Sequence, residues 1–341
     1  TQVLSHFPSK YSLAFAYGSG VFKQEITNQV KSIDNKNNLM AKMKTTSNMI
    51  DLILVVDDPI EWHKENLLRN RWHYSFIKYF GSKVIAGVQQ NFDAKVYFNT
   101  LIPIDDQIIK YGVISTKHLI NDLLDWETLY ISGRLHKPVL FLTDKITNDE
   151  LEKSVKINYQ SAIHSSLLML PEVFTEEQLY FTIAGLSYSG DFRMIIGEDK
   201  QKIKKIVEPQ LIKFRQLYQP ILTSDIMNNI LHWDSHSQNY IQDCCSRVIL
   251  HHLNLLPKTI QQNLYVAWNV NRRLRDLDDV LQSLSKSYDC QLYVRQAIEK
   301  VVWKSSWYQS VKGVFTAGMF KSLRYGSNKL VKMLKSINIR S

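Results

Sequence analysis

Two stretches of this 341-residue chain decide its fold: FAYGSGVF at residues 15–22 and MIDLILVVDD at residues 49–58. The first is an apolar run that breaks at a Gly-Ser-Gly tripeptide and then resumes, which predicts a buried strand, a tight turn and the start of a helix. Such a turn offers backbone N–H groups and a serine hydroxyl to a phosphate. The second stretch predicts another buried strand, and this strand carries an acid, Asp51. Together they are the minimum set for metal-assisted nucleotidyl transfer.

Each stretch also has a plainer interpretation. A Gly-Ser-Gly tripeptide is often only a turn, and an Asp near the end of a strand is often only solvated. The order of the pieces argues for function, because a glycine-serine turn, a helix, a loop and an acid-bearing strand follow one another in the DNA polymerase beta-like nucleotidyltransferases.

Composition sets the limits on the class of protein. With 45% hydrophobic and 22% charged residues, the chain can bury a large core and is long enough for about two domains. The three cysteines form no CxxC pair, so we expect a reducing compartment and no disulfide framework. His232 and His236 are four residues apart, but no cysteine or acid cluster completes a zinc site around them. We expect a processed form, because the sequence begins with Thr1.

Residues 11–141 alternate strand-like and helix-like segments, which predicts an α/β arrangement. Residues 31–48 are polar and basic, which predicts a mobile loop. Residues 109–115 predict a strand or turn that leads into a helix at 118–130. The other predicted strands lie at Leu13–Tyr17, Ile50–Val56, 94–99 near a sheet edge, 139–142 and, more weakly, 84–87.

From residue 148 the pattern becomes helical. Thr175 and Gln178 form the sequence of a capping box, which predicts the start of a helix. Pro209 should break or kink a helix at 199–218, and residues 228–246 are polar and remain unassigned. The other predicted helices lie at 150–170, 256–264 and 280–284.

Long strings spread over nearly the whole chain resemble the mitochondrial CDP-diacylglycerol synthases, the translocator assembly and maintenance family. The resemblance implies synthesis of CDP-diacylglycerol from CTP and phosphatidic acid, with Mg²⁺ as cofactor and pyrophosphate as product, for cardiolipin synthesis. It also implies a peripheral protein on the matrix side of the mitochondrial inner membrane. The matching strings are AFAYGSGVF, MIDLILVVDDPIEWHKENL, HYSF, AKVYFNT, IKYGVIS, LYISGRLHKPV, AGLSYSGDFRMIIGEDK, LPKTIQQ and KGVFTAGMFKSL.

The fold that the resemblance implies is α/β (α+β) with three parts. A polymerase-beta-like nucleotidyltransferase domain would occupy residues 1–145. A mostly helical, winged-helix-like domain would occupy residues 146–300. A basic amphipathic membrane-binding tail would occupy residues 301–341.

The nucleotide site is expected at the Gly-Ser-Gly turn and at cations near it. Gly18 and Ser19 would hold the β- and γ-phosphates, and Gly20 would let the chain turn without a Cβ clash. Lys95 can instead be an ordinary exposed lysine of an edge strand. The expected nucleotide- and phosphate-binding residues are Tyr17, Gly18, Ser19, Gly20, Lys95, Lys110, Tyr111, Arg134 and Lys137.

Asp51 is the expected metal ligand on its strand. The wider superfamily places two acids two residues apart on this strand, because such residues share a face. Here Met49 and Ile53 flank Asp51, so the pair is reduced to one acid. Asp57 and Asp58 can complete the site or cap the turn before the next helix, and we favour the cap.

Asp191 and Arg193, in the string SGDFR, are the expected catalytic residues from the second part. Asp191 would be the second metal ligand beside Asp51, across an interdomain cleft. Arg193 would hold a phosphate with its two-pronged guanidinium group. The alternative is a turn Asp that bonds to its own backbone and an Arg that pairs with a nearby acid.

The C-terminal end carries nearly all of the net charge of +10, because residues 295–341 contain ten Lys or Arg and one acid, Glu299. On a helix over residues 314–339, apolar and basic residues fall on opposite sides. This pattern is typical of a helix that lies on an anionic membrane, although it can also be docked on the protein's own core. The expected membrane-binding residues are Phe315, Lys321, Leu323, Arg324, Lys329, Lys332, Leu334 and Lys335.

Two other functions remain open. The first is a nucleotidyltransferase that acts on RNA or on a protein, with the tail bound to nucleic acid; no RNP-like or arginine-rich motif supports it, so we expect no nucleic-acid partner. The second is a non-catalytic membrane adaptor, for which the missing acids are the best argument.

Overall fold

A five-stranded mixed sheet organises the first part of the chain, in the order β3-β4-β2-β1-β5. The computed structural model describes residues 2–22, 49–92, 94–191, 194, 201–270 and 274–317. β2 and β4 are parallel, and the other neighbouring strands are antiparallel. The strands are β1 Leu13–Tyr17, β2 Ile50–Val56, β3 Val96–Ile104, β4 Gln107–Ser115 and β5 Leu140–Phe141.

Both faces of this sheet are covered, which explains the unbroken apolar runs of β1 and β2. Phe15 and Ile53 belong to the core on one face, and Ala16 and Leu52 belong to the core on the other. Successive side chains of a strand point to opposite faces. Asp51 therefore shares the face of Ile53.

Helices of the first part pack against this sheet. Asp58 begins the first of them, because its carboxylate accepts hydrogen bonds from the backbone N–H groups of Ile60 and Glu61. The prediction that Asp58 is a cap is thus confirmed. The weaker strand prediction at 84–87 is wrong, because these residues lie inside a helix. The helices are α1 Pro59–Arg69, α2 Gly81–Asn91, α3 Thr116–Asp125 and α4 Ser132–Leu135.

The second part combines helices with a small antiparallel sheet in the order β6-β8-β7. The capping box of Thr175 and Gln178 is confirmed. Pro209 lies in a 3-10 turn that separates two helices, as predicted. The strands are β6 Val173–Thr175, β7 Leu231–Asp234 and β8 Asn239–Gln242. The helices are α5 Asp149–Leu167, α6 Glu176–Gly185, α7 Lys202–Val207, α8 Leu211–Leu222, α9 Asp225–Asn228, α10 Ser246–Asn254, α11 Lys258–Asn269, α12 Leu277–Leu284 and α13 Cys290–Ala317.

The long helix α13 returns to the first sheet and contacts β3. Near its end, buried Lys312 donates hydrogen bonds to the carbonyl groups of Gln89 at 3.2 Å and Phe92 at 3.1 Å. Lys312 thus helps to hold α13 on the fold. One apolar core extends from Leu13 to Val302 and includes residues on both sides of the boundary predicted at 145/146.

The described residues contain no helix that is long and apolar enough to cross a bilayer. Some predictions fall outside what the structure describes. These are the loop at 31–48, the helix after residue 22, Arg193 and the side chains of Phe315, Lys321, Leu323, Arg324, Lys329, Lys332, Leu334 and Lys335.

Candidate functional site

Three polar side chains form a row across adjacent strands at one end of the first sheet. The antiparallel register pairs Tyr17 with Asp51, and the parallel register places Asp51 beside Lys110. Asp51 Oδ1 lies 3.4 Å from Lys110 Nζ, and the two side chains are only 22% and 15% exposed. The strand pairing therefore fixes a half-buried carboxylate next to a cation.

The Gly-Ser-Gly turn lies directly over this carboxylate. Gly18 has a φ of +81°, which favours glycine, and a Cβ at this position would lie 3.5 Å from Asp51 Oδ2. A Cβ at Gly20 would come within 2.4 Å of the carbonyl oxygen of Met49. The backbone thus approaches both the Asp51 side chain and the start of β2. Glycine is required at position 18 by the positive φ and at position 20 by the close approach to Met49.

The turn leaves N–H groups that can bind an anion. The Gly18 carbonyl accepts hydrogen bonds from the N–H groups of Val21 and Phe22, both at 3.1 Å. Within the described residues, the N–H groups of Ser19 and Gly20 donate to no backbone carbonyl. Ser19 is exposed, so its hydroxyl can also reach a ligand. Free backbone N–H groups of this kind are a feature of anion-binding turns, and the expected binding of phosphate by this turn remains a prediction.

Arg134 approaches the same row from α4. Its guanidinium carbon lies 5.2 Å from the ring centre of Tyr17 and 3.9 Å from that of Tyr130, and its Nη1 donates to the Tyr130 carbonyl. Burial raises the pKa of Tyr17, although Arg134 and Lys110 oppose this shift. The Tyr17 hydroxyl is therefore a neutral hydrogen-bond donor at physiological pH.

Aromatic rings hold the cations on this side of the sheet. Lys110 Nζ lies 4.5 Å from the ring centre of Phe98, and the Phe98 ring meets the Tyr130 ring edge-on at 6.3 Å. Cations over aromatic faces are stabilised by the ring quadrupole. Lys110 is thereby positioned next to Asp51, and Arg134 is positioned over Tyr17.

Lys137 extends the cluster toward the second part of the chain. Its Nζ donates to the Gly133 carbonyl and to Ser187 Oγ, the latter at 2.8 Å. The Tyr188 ring centre lies 5.1 Å from the Nζ atoms of both Lys137 and Lys202. Burial, Arg134 and Lys202 hold the pKa of Lys137 well below its usual value. An added anion would relieve this repulsion.

The turn at residues 187–190 packs between helices α4 and α13. A Cβ at Gly133 would meet the Ser187 Cβ at 2.4 Å, and a Cβ at Gly190 would meet the carbonyl oxygen of Glu299 at 2.6 Å. The next residue, Asp191, is 2% exposed. Its expected role as second metal ligand remains a prediction, as does that of Arg193, which lies outside the described residues.

Two residues expected at the nucleotide site lie elsewhere. Lys95 precedes Val96, which pairs with Ile114 near the end of β4, whereas Lys110 lies near the start of that strand. Four strand residues, roughly 13 Å, separate these two positions. Tyr111 is fully buried on the opposite face, where its hydroxyl accepts a hydrogen bond from Asn66 Nδ2 at 3.0 Å.

Asp57 also lies at the far end of the sheet. Its carboxylate accepts hydrogen bonds from the hydroxyl groups of Ser12 at 2.8 Å and Thr116 at 2.5 Å. These contacts explain Asp57 as a structural residue, which supports its interpretation as part of the turn after β2. Among the site residues, the sequence reasoning missed Phe98, Tyr130 and Lys202, since their approach depends on tertiary packing. Phe98 and Tyr130 had a signal, because they lie inside the matching strings AKVYFNT and LYISGRLHKPV, and Lys202 follows the string that ends at Lys200.

The residues brought together can perform phosphate chemistry. Asp51 pairs with Lys110, Arg134 lies over Tyr17, and Lys137 and Lys202 follow beyond Arg134, so four basic side chains accompany one carboxylate. Cationic groups and a glycine turn together favour a polyphosphate. One carboxylate is also enough to hold a Mg²⁺ ion whose other ligands are oxygen atoms of substrate phosphates and water.

Known proteins match nearly the whole chain. A sequence model of the family described as "Phosphatidate cytidylyltransferase, mitochondrial" matches residues 1–332. Proteins of that name from Xenopus laevis and Danio rerio are 44% and 43% identical over 98% and 97% of this chain, and over 94% and 93% of their own lengths. The one from Caenorhabditis elegans is 40% identical over 95% of this chain and 94% of its own. The chain therefore belongs to the family of mitochondrial phosphatidate cytidylyltransferases.

Proposed function

We propose that this chain transfers CMP from CTP to phosphatidic acid. A phosphate oxygen of phosphatidic acid attacks the α-phosphorus of CTP, a new P–O–P bond forms, and the bond to the β-phosphate breaks. The products are CDP-diacylglycerol and pyrophosphate. The observation that carries the proposal is the Gly18 turn directly over the Asp51 carboxylate within a cluster of cations. The name shared by the relatives supports the choice of substrates.

The barrier to this reaction is mostly electrostatic, because two anions must meet and a third must leave. The N–H groups of Ser19 and Gly20 would bind the β- and γ-phosphates. Arg134 and Lys137, each held by bonds to backbone carbonyls, would neutralise charge without having to reorganise. Lys202, at the start of α7 in the second part, would meet the phosphate of the lipid.

Asp51 would be the protein ligand for Mg²⁺. When bound with CTP, the ion would supply charge neutralisation at the α-phosphate and at the leaving pyrophosphate. Among the described residues of the first part of the chain, Asp51 is the one carboxylate that we expect to bind this ion. In the described part of the chain, Asp51 belongs to no group of three His, Cys, Asp or Glu side chains that could share one ion. Asp51 therefore suits a Mg²⁺ ion that is held mainly by oxygen atoms of the substrate.

The domain layout belongs to the same proposal. A glycine-serine turn followed by an acid-bearing central strand supports a polymerase-beta-like nucleotidyltransferase domain at residues 1–145. The β7–β8 hairpin, followed in the chain by α10 and α11, supports a winged-helix-like domain at residues 146–300.

The test is incubation of the purified chain with α-labelled CTP, Mg²⁺ and phosphatidic acid in vesicles. We expect label in an organic-soluble CDP-lipid, together with one pyrophosphate for each lipid formed. Parallel reactions replace phosphatidic acid with diacylglycerol or with RNA. Label in RNA or in the protein itself would support the alternative acceptors, and no transfer in any reaction would favour the non-catalytic adaptor.

An anionic membrane is the proposed partner, because phosphatidic acid resides in one. Four aromatic side chains after α1 are between 50% and 72% exposed, and we call them the aromatic surface: Trp72, Phe76, Tyr79 and Phe80. Residues 70–92 contain three Lys or Arg and no acid. Exposed aromatic groups among cations favour the interface of an anionic bilayer.

The aromatic surface adjoins the face of the first sheet that is opposite to Asp51. His73 Nδ1 lies 2.9 Å from the hydroxyl of Tyr111, which is the neighbour of Lys110 in β4. Arg71 and Lys78 lie 5.7 and 5.5 Å from the ring centre of Tyr79. A membrane docked here would therefore lie on the side of the sheet opposite to Asp51, next to the end of β4 that carries Tyr111. A location on the matrix side of the mitochondrial inner membrane fits this proposal.

Replacing Phe76 and Phe80 with serine should weaken co-sedimentation with vesicles that contain phosphatidic acid. The expected loss is about tenfold or more in partition, since each ring buries apolar area in the interface. CTP binding in solution should be unchanged. The matched control replaces Ile212 and Leu274, which are 68% and 75% exposed elsewhere on the surface, with serine. If both double variants sediment as the unmodified chain does, the aromatic surface does not bind membranes.

A further inference from the structure

Three histidines form a cluster that the nucleotide site does not use. His164 lies on α5, and His251 and His252 lie on α10. Each offers one ring nitrogen, and the three nitrogens lie within 4.8 Å of one another. His164 Nδ1 is 2.9 Å from His252 Nδ1. The cluster is therefore compact and is built on helices that supply none of the nucleotide-site residues.

The rings are arranged as they would be around one small ion. Their centres form a nearly regular triangle with sides of 5.0, 5.6 and 5.8 Å. Around a tetrahedral zinc ion with Zn–N bonds of about 2.0–2.1 Å, ligand nitrogens are about 3.3 Å apart and imidazole centres about 5 Å apart. Small rotations of the rings would direct all three nitrogens toward one central ion.

The cluster also has fewer hydrogen bonds than its nitrogens require. His164 and His252 share one bond, and within the described chain His251 Nε2 is buried without a partner. Burial lowers the pKa of His164 to about 4 and that of His252 to about 3, so both rings are neutral at physiological pH. Neutral imidazole is the form that binds metal.

We propose that His164, His251 and His252 bind a divalent transition-metal ion such as Zn²⁺. Three imidazole nitrogens favour this class of metal over Mg²⁺ or Ca²⁺, which prefer oxygen ligands. His251 is half-buried as a residue. A water molecule would take the fourth coordination position of the ion. The ion would link α5 to α10 and thereby stabilise the second part of the chain.

The first test uses the whole chain, purified without a polyhistidine tag and stripped with a chelator. After addition of Zn²⁺ and gel filtration, we expect one zinc per chain and a Tm several degrees above that of the stripped protein. Co²⁺ in place of Zn²⁺ should give the visible absorption of a tetrahedral site. The proposal is overturned if the stripped chain binds less than one tenth of an equivalent of zinc and shows no Co²⁺ absorption. That result would mean that the three imidazoles form a hydrogen-bonded cluster without metal.

Variants locate the ion. His251→Asn removes the most accessible ligand, so the metal-free protein should keep its Tm while the bound zinc and its effect on Tm are lost. The matched control is the double variant His232→Asn and His236→Asn, since both histidines are exposed, the first in β7 and the second in the turn after it. The control should still bind one zinc. Equal zinc content in the His251→Asn protein and the unmodified chain would place the ion elsewhere and overturn the assignment.

Discussion

Replacing Asp51 with asparagine should lower CDP-diacylglycerol formation at least about a hundredfold and leave the chain folded. Asparagine has the same shape but no charge, so it cannot hold a cation against the phosphates. Some stability should also be lost, because Lys110, which is only 15% exposed, loses the carboxylate 3.4 Å away. Turnover with labelled CTP and the Tm of the variant measure the two effects.

Two further variants distinguish a metal ligand from a partner of Lys110. Asp51→Glu keeps the charge but moves it, so it should raise the Mg²⁺ concentration needed for half-maximal rate. Lys110→Met should lower the rate without changing that concentration. Glu61→Gln, which removes an exposed ion pair with Lys64, is the control and should change neither quantity. An Asp51→Asn protein with normal turnover would exclude the metal role.

The sequence was sufficient to predict the helices and strands that are determined by their own residues. The strands Leu13–Tyr17 and Ile50–Val56 were predicted with their observed bounds, because long apolar runs ended at glycine or acidic residues. The apolar residues at 84–87 were wrongly predicted as a strand, since a short apolar run has no distinct period and helix α2 contains them.

The hairpin of β7 and β8 was missed for a different reason. Its strands are only four residues long, and burial does not follow polarity, because Trp233 and Ile241 are exposed whereas Gln242 is buried. Asp234 accepts hydrogen bonds from the N–H groups of His236 and Ser237, which forms the turn. The turn signal was present, but strands this short resemble an ordinary polar loop.

The sequence was enough to predict those parts of the nucleotide site that are motifs following one another along the chain. The turn at Gly18 and the acid at Asp51 were both recognisable, but their contact depends on strand pairing. Lys95 and Lys110 looked equivalent in the sequence, yet β3 and β4 place them at opposite ends of the sheet. Tyr111 adjoins Lys110 but points to the other face, and no local signal shows which face is the site.

Replacing Gly18 with valine should weaken CTP binding at least about tenfold. A residue with a Cβ at a φ of +81° costs roughly 1–2 kcal/mol, so the variant should also lose some stability. This backbone cost alone would not affect the nucleotide. The specific effect comes from position, because the new Cβ would lie 3.5 Å from Asp51 Oδ2 and its two methyl groups would cover the carboxylate.

Gly81 provides a matched control, since it has almost the same φ, +80°, and a Cβ there meets nothing within 4 Å. Gly81→Val should therefore lower the Tm about as much as Gly18→Val does, while CTP affinity stays normal. Calorimetric titration with CTP and Mg²⁺ compares the two proteins directly, without lipid. Equal CTP affinities in the two variants would show that the Gly18 turn does not contact the nucleotide. A selective loss in Gly18→Val would show that the backbone over Asp51 must stay open for CTP to bind.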